Sequence, residues 1–449
     1  MPPEPYRREL ARLTALSAPV AATQLSTISL WTIDLLMVGR LGVEALNAVS
    51  LGRLWAMGTS IVAMGFLFGL DPFASQAHGA RDSARLGRVL AHGSALALLV
   101  CVPLGLLWLF AGPLLVALGQ DPAIAAEAHR YVLVQLPSLP FFLLFVVWKQ
   151  FLQSRGVVRP AMWIALAANA MNAGLNWVLI YGNLGAPRLG VVGSGVSTAL
   201  TQVAMLLALL AVVRHRRLLD GVDVVFRRTA LRLAELRAIA VLGSPVAIQL
   251  ALEYWAFAVA TLWAGRLGTV ELASHTIALN LASVSYMQPL GVSFGAAARV
   301  GQLIGAGDGP GARVAAWSSL GLGAALMSAG AVLFVAARFW LPTFYSDDAT
   351  TIAMAAALLP IAAAFQLFDG LQAVGGGVLR GMGMPRPAAF ANLLGYYVVA
   401  LPLGWLFAFR LGLGVIGLWV GLALGLASVA LLLVIWLLRN PPDRVRALV

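Results

Sequence analysis

The sequence has little of what a water-soluble protein needs at its surface. Only 11% of its 449 residues are charged, whereas 61% are hydrophobic, and the mean hydropathy is +0.89. A soluble domain carries about a quarter charged residues, so most of the surface of this chain must face lipid. A membrane-spanning helix needs about 20 mostly apolar residues, and the chain has room for about a dozen of them. We therefore predict an all-α integral membrane protein.

Three further shortages exclude common sources of chemistry and energy. The single cysteine, Cys101, cannot form an intrachain disulfide. The only lysine, Lys149, lies between Trp148 and Gln150, so the Gly-Lys-Ser/Thr sequence of a P-loop is missing. The five histidines show no metal-ligand spacing such as HExxH. We expect no cofactor and no enzymatic activity, so that any transport must draw its energy from an ion gradient.

Hydropathy predicts twelve membrane-spanning helices joined mostly by short loops. They are expected at about 13–38, 46–71, 91–117, 129–152, 160–181, 190–213, 240–264, 271–297, 313–337, 350–378, 388–409 and 413–438. An even number of spans places both termini on the same side of the membrane.

Basic residues concentrate on the side of the two termini. The exceptions are Arg40, Arg53, Arg130, Arg188, Arg266, Arg338 and Arg410. Because Lys and Arg in short loops favour the cytoplasm, we assign both termini to the cytoplasmic side. The net charge of +12 follows from this topology, and we expect no nucleic-acid partner.

The two halves of the sequence resemble each other. The segment VGRLG at 38–42 recurs as AGRLG at 264–268, and further segments match at nearly the same spacing. Six helices in each half keep both halves in the same orientation, so the repeat is parallel, about an axis along the membrane normal. We predict an N-terminal lobe at 1–213, a basic cytoplasmic linker at 214–239 and a C-terminal lobe at 240–449. Transporters built from repeats place their substrate pathway near the repeat interface.

Three carboxylates lie well inside the predicted helices, namely Asp34, Glu253 and Asp369. An ionisable group at bilayer depth costs about 2.5–3.5 kcal/mol on insertion scales and therefore indicates function. The alternative is a carboxylate neutralised by a buried basic residue, but the sequence places none mid-helix near these three. No acid recurs at the corresponding position of the other half, which favours a role specific to one lobe over a role in the duplicated scaffold.

Polar and aromatic residues accompany two of the acids on the same helix face. Gln249 lies one turn before Glu253, and Phe365 and Gln366 precede Asp369 by four and three residues. We assign Gln249, Phe365 and Gln366 to the predicted substrate cleft. A carboxylate in such a low-dielectric site can hold a proton, or it can bind a desolvated cation in the proton's place.

A pair of asparagines lies in the fifth predicted helix. Asn172 and Asn176 are four residues apart and share a face. Their amide oxygens, together with one carboxylate, suit a hard cation, which takes oxygen ligands. The alternative, which the spacing alone favours, is hydrogen bonding between helices in lipid.

Other polar residues receive structural interpretations. Asp71 precedes Pro72 and is expected to mark a helix boundary. His275, at the start of the eighth predicted helix, is expected at the membrane interface. Arg53 is expected to extend to the outer surface, with lining of the cleft as the alternative.

Several segments together resemble the multidrug and toxic compound extrusion (MATE) family, in its NorM-like branch. They are WTIDLLMVGRLG at 31–42, PVAIQLALEYWAF at 245–257, AGRLGTVELASHTIALN at 264–280 and FQLFDGLQAVGGGVLRGMGMPRP at 365–387. The resemblance covers about residues 10–438. It implies a monomeric antiporter of the bacterial inner membrane that expels small amphipathic, often cationic compounds in exchange for Na⁺ or H⁺.

The resemblance also implies site residues. Glu253 and Asp369 are expected to bind the coupling cation in the C-terminal lobe. Asp34 is expected in an N-terminal cluster whose other members match Asn172, Asn176, Ser194 and the backbone of Gly190. Phe365 stands where the family often has Tyr, so a hydroxyl ligand for Na⁺ is absent there.

Two other functions were compared with cation-coupled export. A flippase for lipid-linked precursors needs several cations inside its helices to hold a pyrophosphate, and basic residues are sparse there. An intramembrane enzyme needs a nucleophile with a base, or a metal cluster, and the three acids lie on separate helices with no histidine at comparable depth. Export therefore accounts for the sequence best.

Overall fold

The computed structural model describes residues 4–224 and 232–448, and every regular element within those ranges is a helix. Residues 225–231 of the predicted linker lie outside the described residues. The described parts of the linker pack against neighbouring helices. The Arg155 guanidinium donates a hydrogen bond to the Leu218 carbonyl at 2.5 Å, and the Arg232 backbone N–H donates to His92 Nε2 at 2.9 Å.

Sixteen α-helices follow one another along the described chain. They are α1 Glu4–Gly39, α2 Val43–Leu67, α3 Leu70–Gly79, α4 Ser83–Leu109, α5 Ala111–Ala117, α6 Pro122–Leu133, α7 Leu139–Ser154, α8 Arg159–Tyr181, α9 Val191–His215, α10 Leu233–Leu267, α11 Thr269–Gly305, α12 Gly309–Ala336, α13 Ala349–Gly381, α14 Arg386–Asn392, α15 Leu401–Trp405 and α16 Gly414–Arg439. Wider π-helical turns at Leu393–Ala400 and Leu406–Arg410 extend α14 and α15.

Several of these helices join end to end into longer segments. The pairs α2–α3 and α6–α7, and the stretch from α14 to Arg410, each act as one segment, and eleven segments of the described chain are long and apolar enough to cross a bilayer. The helix α11, with 37 residues, is also long enough but is more polar. The all-helical fold class is confirmed, and these twelve long segments agree with the predicted count.

The chain packs as two compact units. The first unit contains Ala22–Leu70 and Asp82–Ala247, and the second contains the residues up to Ala21, Asp71–Arg81 and the chain from Ile248 onwards. The two units are defined by which residues pack together. The predicted lobes at 1–213 and 240–449 are defined by the sequence repeat. The lobe boundaries stay a prediction.

Close approach between α11 and α13 explains the glycine-rich sequence of α13. A Cβ atom at Gly377 would overlap the backbone carbonyl of Ser293, and one at Gly381 would lie 2.5 Å from the carbonyl of Ala297. Only glycine permits helices to approach so closely, and van der Waals packing of this kind stabilises helix pairs in lipid. The segment GGGVLRG therefore fixes α13 against α11.

The second unit contains a buried ion pair. Asp71 begins the first turn of α3, just after the interruption between Leu67 and Leu70, so the expected helix boundary is present. Its carboxylate lies 4.0 Å from Arg380 Nε, and both side chains are at least nine-tenths buried. Arg380 also donates a hydrogen bond to Ser293 Oγ at 3.1 Å. Asp71 therefore joins α3 to α13 in addition to marking the boundary.

Replacing Arg380 by Met should destabilise the protein by about 3–5 kcal/mol, because it leaves the carboxylate of Asp71 buried without its cation. The measurement is thermal unfolding of the purified protein in detergent. Adding Asp71→Asn to this variant should recover part of the loss, because the uncompensated charge is then removed.

The matched control is Arg313→Met. Arg313 pairs with Asp443 at 3.5 Å, but 57% of the arginine side chain is exposed. An exposed pair contributes about 0–1 kcal/mol, so this control should unfold close to the parent temperature. Equal destabilisation by Arg380→Met and Arg313→Met would contradict a special role for the buried pair.

Candidate functional site

The first unit holds one of the three predicted carboxylates. Asp34 lies in α1 and is only 3% exposed. Asn176 Nδ2, from α8, donates a hydrogen bond to Asp34 Oδ1 at 2.5 Å. Thr198 Oγ1, from α9, donates to the other carboxylate oxygen at 2.9 Å. Three helices therefore meet at this carboxylate.

The asparagine pair extends this network. Asn176 Nδ2 also donates to Asn172 Oδ1 at 3.1 Å, and Asn172 Nδ2 donates to Ser197 Oγ at 3.3 Å. The asparagine pair thus makes hydrogen bonds between helices, as expected under the alternative to a cation site. One of its oxygens, Asn176 Oδ1, is nevertheless buried without a hydrogen-bond partner among the described residues. A free buried oxygen beside a carboxylate is also what a cation site requires.

The two remaining N-terminal site residues lie at the start of α9. Gly190 directly precedes the helix with φ +57°, a conformation that favours glycine. Its carbonyl accepts the Ser194 N–H at 3.3 Å. Ser194 Oγ is buried and has no hydrogen-bond partner among the described residues. The described hydrogen bonds do not connect Gly190 or Ser194 to Asp34, so their assignment to this cluster stays a prediction.

Sequence reasoning missed two members of the network, Ser197 and Thr198. A signal for them was present, because Ser194, Ser197, Thr198 and Thr201 follow the spacing of a single helix face. Hydroxyls along one face of an apolar helix indicate a polar partner opposite that face.

Arg53 also contacts α1, which the sequence did not indicate. Its guanidinium donates to the Trp31 carbonyl at 3.3 Å and lies 5.3 Å from the centroid of the Trp31 ring. Trp31 is one turn before Asp34, and the charge of Arg53 acts on that carboxylate. The expectation that no basic residue lies near the three acids is therefore wrong for Asp34.

The second unit brings the other two carboxylates together. Glu253 lies in α10 and Asp369 in α13, and their carboxyl groups interact electrostatically. Gln372 Nε2 donates a hydrogen bond to Glu253 Oε2 at 2.9 Å. The Tyr396 hydroxyl donates to Gln372 Oε1 at 3.4 Å, which orients the amide. The side chain of Tyr286, in α11, also faces Glu253.

The three residues assigned to the substrate cleft lie among the helices of the second unit. Gln249 packs against Gly376, where an added Cβ would lie 3.1 Å from its amide nitrogen. Gln366 is fully buried and accepts a hydrogen bond from Ser285 Oγ at 3.0 Å. Phe365 is also fully buried, in contact with other aromatic rings. Their role in substrate binding stays a prediction.

His275 is not exposed at the surface of the protein. It is fully buried within the second unit, and its ring nitrogens lie 3.1 Å from Trp419 Nε1 and 3.0 Å from Thr261 Oγ1. The ring points between helices, where it meets two polar side chains instead of water, and its depth at the membrane interface stays a prediction.

Comparison with known proteins adds independent information on the family. The MatE family pattern matches residues 19–178 and 245–406. A probable multidrug resistance protein NorM of Burkholderia pseudomallei is 39% identical over 438 residues, covering 96% of this chain and 93% of that protein. Multidrug and toxin extrusion protein 2 of Mus musculus is 33% identical over 440 residues, covering 98% of this chain and 76% of that protein.

Solved structures share the fold. The crystal structure of the eukaryotic MATE transporter AtDTX14 matches with a TM-score of 0.90 at 24% identity, over 98% of both chains. The crystal structure of a mutant of the Vibrio cholerae MATE transporter VcmN matches with a TM-score of 0.86 at 18% identity, over 98% of this chain and all of that one.

Together these findings define a multi-pass membrane protein with the fold of a transporter. The chain belongs to the MatE family. The family resemblance that the sequence motifs indicated is confirmed, as is the twelve-helix fold class.

Replacing Thr198 by Val should lower the free energy of unfolding by about 1–3 kcal/mol, because it removes a hydrogen-bond donor from a buried carboxyl group without changing the side-chain shape. Thermal unfolding in detergent gives the measurement.

Thr201→Val is the matched control for this substitution. The Thr201 hydroxyl is also buried, but it donates to the Ser197 carbonyl of its own helix at 2.8 Å. Its loss should cost about 0.5–1 kcal/mol. A control as destabilising as Thr198→Val would show that the bond to Asp34 has no special weight.

Proposed function

We propose that this protein exports small amphipathic, often cationic compounds from the cytoplasm in exchange for Na⁺ or H⁺. The observation that carries the proposal is the set of three carboxylates among the helices, of which Asp34 and Glu253 accept hydrogen bonds from neutral polar side chains. The names of its relatives support multidrug efflux in particular, because they are multidrug resistance and toxin extrusion proteins.

The cluster around Asp34 suits a cation. Its carboxylate is accompanied by the amide groups of Asn172 and Asn176, to which the family resemblance adds Ser194, and hard cations such as Na⁺ take oxygen ligands. Leaving a buried polar group without a partner costs about 1–3 kcal/mol. Two such groups, Asn176 Oδ1 and Ser194 Oγ, lie on the helices that meet Asp34. A bound cation with its water would satisfy such oxygens, and the proton of a neutral carboxyl group would satisfy one of them.

The pair of Glu253 and Asp369 suits the same exchange by another route. Two carboxylates close together in an apolar setting repel each other when both are charged. Binding one proton or one Na⁺ relieves that repulsion, and so does a cationic substrate. The amide of Gln372 donates to Glu253 without adding charge, so the pair keeps its preference for a positively charged occupant.

Export requires that the cation and the substrate prefer different conformations. We infer alternating access, in which inward-open and outward-open states differ in their affinity for each occupant, since a ligand shifts an equilibrium only by its differential affinity. Direct competition for the same carboxylates is the simplest form of this coupling. Both Na⁺ and H⁺ remain candidates. Phe365 supplies no hydroxyl ligand, so a Na⁺ site near Asp369 would depend on its carboxylates and amides.

The proposal extends to the setting of the protein. We propose a bacterial inner membrane, which the bacterial NorM relatives support, and cytoplasmic termini, which the distribution of basic residues supports. We propose that it acts as a monomer and without enzymatic chemistry.

Neutralising the carboxylates should impair export. Purified protein in proteoliposomes is given a fluorescent organic cation under an imposed Na⁺ gradient at equal pH, or under a pH gradient without Na⁺. Asp34→Asn, Glu253→Gln and Asp369→Asn each remove a charge that the occupant meets. At least one of them should reduce the export rate about tenfold or more, which corresponds to about 1.4 kcal/mol of lost interaction.

The control variant is Asp348→Asn. Asp348 is exposed and accepts the Thr351 N–H at 2.7 Å as the N-cap of α13. Asparagine caps helices about as well as aspartate, so this variant should export like the parent. Full export by all three carboxylate variants would contradict the carboxylate mechanism, and export under neither gradient would contradict cation coupling.

A further inference from the structure

His275 is a buried titratable residue that the proposed exchange does not use. It lies in α11, within the segment AGRLGTVELASHTIALN, and its side chain is fully buried in the second unit. Both ring nitrogens have polar neighbours from other helices, Thr261 in α10 and Trp419 in α16. A buried imidazole with two specific partners calls for an explanation in terms of its protonation.

The partners determine which ring nitrogen carries the proton. The indole N–H of Trp419 is only a donor, so Nδ1 of His275, at 3.1 Å, must be the acceptor. In a neutral imidazole the other nitrogen, Nε2, then carries the hydrogen. It donates to Thr261 Oγ1 at 3.0 Å, and the Thr261 hydroxyl donates in turn to the Phe257 carbonyl at 2.9 Å. Every donor in this series of three hydrogen bonds has an acceptor.

A cationic ring would break the arrangement. With both nitrogens protonated, Nδ1–H would face the indole N–H of Trp419, and two donors cannot bond each other. The contact with Trp419 therefore exists only with the neutral ring that carries its hydrogen on Nε2. No other tautomer satisfies both neighbours.

Two arms of contacts, one through Trp419 and one through Thr261, extend from His275 toward the helix turns that carry the carboxylate pair. On one side the Trp419 ring packs against Phe365, at 5.6 Å between centroids, one turn before Asp369. On the other side Thr261 bonds the backbone of Phe257, which lies one turn after Glu253.

Phe257 connects the two arms. Its ring packs edge-on against Phe365 at 6.0 Å and against Tyr396 at 5.9 Å. Tyr396 in turn orients the amide of Gln372, which donates to Glu253. The hydrogen bonds of His275 therefore hold Trp419 at one end of an aromatic cluster. In that cluster, Phe365 and Phe257 lie one turn along their helices from Asp369 and Glu253.

We propose that His275 is a positioning residue for the Glu253–Asp369 cation site, acting as a neutral imidazole with its hydrogen on Nε2 that fixes Trp419 and Thr261. This inference rests on the proposed cation exchange. It adds that the geometry of the carboxylate pair depends on a hydrogen-bonded histidine that touches neither carboxylate.

The first test measures the tautomer in the parent protein. Nitrogen-15 NMR of histidine-labelled protein at pH 7.5 distinguishes a protonated from an unprotonated ring nitrogen, and the His275 signals are assigned by their loss in His275→Asn. We expect an unprotonated Nδ1 and a protonated Nε2. A ring with its hydrogen on Nδ1, or a cationic ring, would overturn the inference whatever the transport activity.

The second test measures the cation dependence of export in the proteoliposome assay. His275→Leu removes both hydrogen bonds and should raise the half-saturating concentration of the coupling cation about tenfold, with a smaller change in the maximal rate. His275→Asn places an oxygen near the position of Nδ1, so it can still accept from Trp419 and should be affected less. Trp419→Phe removes the donor, and combining it with His275→Leu should add little to the effect of His275→Leu alone.

The control is Thr276→Val, which alters an exposed hydroxyl that bonds the Leu272 carbonyl of its own helix. It should leave the cation dependence unchanged. If His275→Leu does not fold, the same test is made with the other two variants. Trp419→Phe removes the hydrogen bond to His275 and should raise the half-saturating concentration more than His275→Asn, which keeps that bond. Should the parent exchange a cation while the half-saturating concentration stays at the parent value in the His275 and Trp419 variants, the positioning role is wrong and the proposed function stands. If the parent exchanges no cation, the proposed function fails, and the positioning role fails with it.

Discussion

The hydrocarbon core of a bilayer offers no hydrogen-bond partners, so polar groups inside it must be satisfied within the protein. Most of the polar contacts in this protein follow from that constraint. Many hydroxyls return to a carbonyl of their own helix, as Thr27 does to Thr23 and Thr201 to Ser197. Other polar side chains, such as Thr198 and Asn176, find partners on other helices. Polar residues thus mark places where helices meet, as they do at Asp34.

The duplication of the scaffold and the single occurrence of each acid fit the packing of the two units. The residue that corresponds to Asp34 in the second half is Ala260, which is fully buried in an apolar cluster of the second unit. The residue that corresponds to Glu253 is Thr27, whose hydroxyl bonds its own helix. At these two positions the half without the acid therefore carries a small side chain or one that bonds within its own helix.

Local sequence patterns predicted the features that depend on a single helix. Hydropathy located the spans because lipid contact acts on each helix separately, and helical spacing placed Asn172 beside Asn176. Neither hydropathy nor helical spacing predicts which side chains on different helices become partners. The bond from Thr198 to Asp34, the burial of His275 and the pairing of Asp71 with Arg380 each depend on which helices become neighbours. No periodicity within one segment encodes that choice.

The pair of Asp71 and Arg380 has a consequence for how the chain is made. Its two members lie far apart in the sequence, so the ribosome completes α3 long before α13 exists. During that interval the carboxylate lacks the guanidinium that accompanies it in the finished protein, which favours a protonated or water-exposed state. The contact between α3 and α13 is therefore completed late in synthesis, and a chain truncated before α13 would lack it.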